Sequence, residues 1–141
     1  MRYQKLFVLV TSLLSATLLP AYATPSCQTK ETCAVGTECS CTITPSSAYE
    51  RYFYWNFPGI LKGVNYSCHF SDTVNMPVLD SFKLPAGVQH QVSGSYPHFP
   101  MQLKLQTDAM QDKQGNAEIK IFIPASDYPT TVTMACMAKN P

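Results

Sequence analysis

Met101-Gln102-Leu103-Lys104-Leu105-Gln106-Thr107 is the stretch that decides the fold. Met101, Leu103 and Leu105 alternate with Gln102, Lys104 and Gln106, so apolar residues recur with period two, as on a half-buried β-strand; a helix would space them at three and four. The same alternation returns in Ala117–Ile123, where Ile119, Ile121 and Ile123 oppose Lys120 and Phe122, with Gly115-Asn116 read as the turn before it. Thr130–Ala138 groups Val132, Met134, Cys136 and Ala138, and Val64–Phe70 groups Val64, Tyr66, Cys68 and Phe70. Cys39–Thr44 puts Cys39, Cys41 and Ile43 on one face, and Glu50–Phe57 is closed by Pro58-Gly59. Weaker strands are expected at Val78–Leu84 and Val88–Val92, on either side of Pro85-Ala86-Gly87.

Pro and Gly punctuate these segments at short intervals, and none has helical spacing. The fold class expected is therefore all-β: a two-sheet antiparallel β-sandwich of about seven to eight strands. It is immunoglobulin-like only loosely. Cys68 and Cys136 are spaced as a sheet-bridging pair would be, but Trp55 precedes the first cysteine and Met134 stands where a tyrosine corner belongs.

The N-terminal end reads as an export signal. Arg2 and Lys5 precede an apolar run from Leu6 to Leu19, then Pro20 and the small-x-small tripeptide Ala21-Tyr22-Ala23. That places a signal peptide at residues 1–23 and a single β-sandwich domain at 24–141. The apolar run falls short of the roughly 20 residues a membrane span requires.

All six cysteines follow it: Cys27, Cys33, Cys39, Cys41, Cys68 and Cys136. An even count in an exported chain reads as a disulfide framework, hence a secreted or periplasmic location. The economical pairing joins Cys68 to Cys136 and pairs the N-terminal four among themselves. Thr24–Glu38, polar and rich in cysteine, then reads as a stapled loop rather than regular structure.

Charge narrows the partners. Of ten Lys and Arg, two lie in the leader, and nine Asp and Glu balance the rest. Without a basic run, nucleic acid and anionic membrane are poor partners. Catalytic motifs are absent: there is no G-x-S-x-G elbow, and paired cysteines would supply no thiolate. No metal or cofactor is implied, since the cysteine spacing matches no zinc site.

Two segments could recognise a ligand. In Tyr49–Phe57, Phe53, Trp55 and Phe57 face one way and Tyr52, Tyr54 and Asn56 the other, so one set fills the core and the other meets solvent or a partner. The run Gln89–Pro100, overlapping the weak strand there, carries His90 and His98 around Ser93-Gly94-Ser95 and reads as a long exposed loop. The function expected is a non-enzymatic binding module for a protein or glycan. The alternatives are a metal-handling or redox protein using Cys, Met and His, and a subunit of a surface assembly. Asn65-Tyr66-Ser67 is in addition a glycosylation sequon.

Overall fold

The computed structural model describes residues 24–74 and 76–139; the signal peptide expected at 1–23 lies outside them. Nine strands follow one another: β1 (Lys30–Thr32), β2 (Glu38–Ile43), β3 (Arg51–Leu61), β4 (Tyr66–Asp72), β5 (Val78–Lys83), β6 (Gln89–Gly94), β7 (Met101–Gln106), β8 (Gln114–Ile123) and β9 (Thr130–Ala138). They form two sheets, ordered β1-β3-β8-β5 and β2-β9-β4-β7-β6. Every pairing is antiparallel except β1 with β3. The architecture is an all-β sandwich.

The alternating patterns supply its core. Phe53, Trp55 and Phe57 from β3 and Ile119, Ile121 and Ile123 from β8 are buried, as are Tyr66, Cys68 and Phe70 from β4 and Met101, Leu103 and Leu105 from β7. Phe57 of one sheet meets Phe70 of the other edge-on, with centroids 6.1 Å apart, and Phe70 meets Phe99 at 5.9 Å. Burying each such ring contributes about 1.5–3 kcal/mol. Trp55 is fully enclosed although its Nε1 finds no hydrogen-bond partner.

The disulfides are Cys27–Cys41, Cys33–Cys39 and Cys68–Cys136, and no cysteine is free. The expected pairing is therefore correct, and its long bridge departs from the immunoglobulin pattern. Cys68 and Cys136 sit opposite one another on the neighbouring strands β4 and β9, so the bond lies within one sheet instead of joining two. Three disulfides place the chain in an oxidising environment. No helix among the described residues is long and apolar enough to cross a membrane.

Four local expectations are corrected. Pro58-Gly59 does not close the second strand: β3 continues to Leu61 across a register shift between Pro58 and Ile60, where Gly59 adopts φ +95°. A bulge absorbs the extra residue, Gly59, without ending the ladder. Gly115-Asn116 is not a turn but lies inside β8, opposite Ile60 and Pro58. Glycine is needed there for close approach, because a Cβ would sit 2.7 Å from Pro85 Cγ. Thr24–Glu38 is not without regular structure, since β1 runs parallel to β3 and Ser26 bridges Thr42. Finally, the first half of the expected Gln89–Pro100 loop is the strand β6, leaving the connection at 95–100.

Candidate functional site

The residues singled out from the sequence do not converge. Tyr52, Tyr54 and Asn56 share the outer face of the four-stranded sheet. Tyr52, 44% exposed, packs on Phe122 of β8 at 5.4 Å, and Lys120 Nζ lies 4.3 Å from its ring centroid and 5.8 Å from that of Tyr54. His90 belongs to the other sheet, on β6, and turns inward: its ring meets Phe82 of β5 edge-on at 4.7 Å, covering the open side of the sandwich. His98 lies on the 95–100 connection and bridges Val78.

A groove that the sequence did not reveal lies on the outer face of the five-stranded sheet, where β4, β7 and β6 run side by side. Its volume is about 310 Å³, and its lining is Asn65, Tyr66, Gln89, His90, Gln91, Lys104, Leu105, Gln106 and Lys139. The alternation of β7 explains why it is polar. With Leu103 and Leu105 committed to the core, Lys104 and Gln106 must face outward, and the register places Gln91 and Gln89 beside them. Lys139 is brought in from just beyond β9, where its N–H donates to Asn65 O (2.7 Å).

The groove holds two ammonium groups and the amides of Asn65, Gln89, Gln91 and Gln106, with no carboxylate in the lining. Among the described residues neither Lys104 nor Lys139 has a carboxylate partner; the ion pair present is Lys120 with Asp80, at 3.8 Å on the opposite sheet. A second groove there, about 250 Å³, is lined by Tyr54, Ser81, Phe82, Lys83, Glu118 and Lys120. Its charge is balanced internally by Glu118 and by Asp80 beside Lys120. Among the described residues no carboxylate balances the positive charge of the first groove, and that difference distinguishes the two.

Asn65 of the sequon is exposed at the rim of the first groove, so a glycan carried there would compete with any ligand. On β4, Ser67 Oγ lies 3.3 Å from His69 Nε2 and accepts from Gln102 Nε2, and among the described residues no carboxylate hydrogen-bonds the His69 ring. Of the Cys, Met and His that the metal-handling alternative draws on, the six cysteines are bonded in pairs and Met134 is fully buried, while Met137 is exposed. Comparison with protein-family models, with curated proteins and with solved structures finds no significant match.

Proposed function

We propose that this chain is an exported, non-enzymatic binding module that takes an acidic saccharide into the groove between Asn65 and Lys139. The observation that carries this reading is the pairing of two ammonium groups, balanced by no carboxylate among the described residues, with a bank of side-chain amides. Amides both donate and accept, which matches vicinal sugar hydroxyls, while Lys104 and Lys139 answer a carboxylate or sulfate. A volume of about 310 Å³ suits one or two sugar rings. The leader and the disulfides agree with a secreted or periplasmic location.

The test is titration calorimetry with trigalacturonate and a heparin tetrasaccharide as probes and maltotriose as the neutral control. Lys104→Met with Lys139→Met should weaken binding of the acidic probes about 30-fold, at ~1 kcal/mol per surface ammonium. Affinity for them should also fall as salt rises. Equal binding of maltotriose, or an unchanged affinity in the double variant, would sink the reading.

A second reading rests on the Tyr52–Phe122 pair, which offers an aromatic platform to a neutral sugar face or a peptide. On that reading Tyr52→Ala with Tyr54→Ala abolishes capture and leaves the melting temperature within a few degrees of the parent. A variant that instead unfolds would show the two rings to be structural cover for β3 and β8.

A further inference from the structure

A two-sheet sandwich has four edge strands, and exposed edges are guarded in native proteins by charge, proline, bulges, short length or a covering segment. Three of the four edges here are guarded. The edge of β2 is covered by the N-terminal segment: Cys27 N donates to Thr42 O (2.9 Å), Thr42 N to Pro25 O (2.7 Å), and Cys27–Cys41 locks the arrangement. On the same side, β1 is three residues long and carries Lys30 and Glu31. The edge of β5 is broken by a register shift between Leu79 and Ser81, bears Asp80 and Lys83, and is covered where Leu79 N donates to Pro97 O (2.8 Å).

The remaining edge, β6, has none of these devices. Gln89-His90-Gln91-Val92-Ser93-Gly94 contains no Asp, Glu, Lys, Arg or Pro and runs six residues in unbroken register with β7. Among the described residues no strand or bridge lies on its far side. Its open backbone groups can be named. Lys139 N to Asn65 O and Ser95 N to Pro100 O fix the alternation across β4, β7 and β6, so the ladder bonds of β6 fall on Gln89, Gln91 and Ser93. His90 and Val92 therefore turn their N–H and C=O groups outward.

We infer that β6 is a self-association edge, occupied by β6 of a second copy in antiparallel pairing about a twofold axis at Gln91. In that register His90 faces Val92 of the second copy, so the outward groups of one strand meet those of the other. Gln89 faces Ser93 and the two Gln91 amides meet at the axis, all on the outer face. The two five-stranded sheets become one continuous sheet, which is what an isologous contact requires.

Charge favours a second copy over a foreign strand of either sign. No charged residue of β6 opposes its twin, and the whole chain is close to neutral. The nearest like charges on the outer face of that row are the two Lys104 ammoniums. They are separated by three strand spacings, about 14 Å, beyond the Debye length of roughly 8 Å. Beneath the edge, partly buried Phe82, Leu84, Val88 and Val92 form an apolar seam that the second strand would help to close. The interface is small, so the dissociation constant expected is on the order of 10–100 µM.

Sedimentation velocity on the chain beginning at Thr24, over a concentration series up to about 1 mM, should show a reversible monomer–dimer equilibrium in that range. On concentration, the amide protons of His90 and Val92 should exchange more slowly while those of β2 are unaffected. Val92→Pro removes an outward N–H without touching the ladder to β7, and Gln91→Lys sets two ammoniums face to face at the axis. Both should be monomeric throughout. Val92→Pro, which lies outside the groove lining, should retain acidic-saccharide binding, whereas Lys104→Met with Lys139→Met should lose that binding and still dimerise, so the two readings fail separately. A parent chain that stays monomeric to about 1 mM, or dimers unaffected by both edge variants, would overturn the inference.

Discussion

Cys68→Ala with Cys136→Ala should lower the melting temperature by roughly 10–20 °C, the largest effect expected from removing any one disulfide. Cys68 and Cys136 are 68 residues apart, and in the chain-entropy model a loop of that length is worth about 4 kcal/mol. Cys33–Cys39, separated by six, gives only about half of that by the same expression. Packing acts in the same direction. Both sulfurs belong to the core, at the middle of the β4–β9 pairing, and truncation leaves a small void between the two sheets. Alanine is chosen over serine so that no hydroxyl is buried unpaired. Thermal unfolding followed by circular dichroism checks the result, with the Cys33→Ala/Cys39→Ala chain as the comparison. If the short-loop variant were the less stable of the two, the entropic ordering would be wrong, and the staple beneath β1 and β2 would be the one that holds the fold.

The strands whose alternation is long and regular were legible from the amino acids. Met101–Leu105 and Ala117–Ile123 announce both their conformation and their buried face, because a period of two with isoleucine and leucine has no helical counterpart. β1 was not legible: Lys30-Glu31-Thr32 has no apolar residue to set a period, and its parallel seat on β3 comes from the staples on either side of it. Gly115 misled for a related reason. Glycine beside asparagine is the usual mark of a turn, whereas here its missing side chain admits Pro85. His90 looked like a loop residue because β6 is polar on its outer face and carries only Val92 as an aliphatic on its inner one.

The groove shows a different limit. Strand parity was enough to mark Lys104 as outward, but not to say what stands beside it. Asn65, Gln89, Lys104 and Lys139 come together through the strand order β9-β4-β7-β6, and a single chain's periodicity carries no information about which strands are neighbours. Gln89, His90 and Gln91 line the groove and also form the β6 edge, so self-pairing would set two grooves side by side across the twofold axis. A polyanionic chain long enough to reach both would gain affinity from that effective concentration without any new contact.

Gly87→Ala should be the most damaging single conservative change, costing about 3 kcal/mol or more. Gly87 turns the chain from β5 into β6 at φ +92°, a conformation that strains any residue with a side chain. A Cβ would also lie 2.0 Å from Ala109 O and 2.9 Å from Met110 Cα. Those are backbone atoms, so no rotamer change relieves the overlap, and the turn must lift away from the segment that follows β7. Gln111 N to Ala86 O (3.0 Å) would be stretched, and buried Met110 would be disturbed. Gly36→Ala is the matched control: its φ is also +92°, but nothing lies within 4 Å of the added carbon, so it carries the strain without the collision. That variant should lose on the order of 1–2 kcal/mol and keep its binding. Because Gly87 sets the entry of Gln89 into the groove, Gly87→Ala should lose affinity for trigalacturonate and dimerisation together with stability. If the two glycine variants melt at the same temperature, Ala109 yields freely, and β6 is not held in place by this contact.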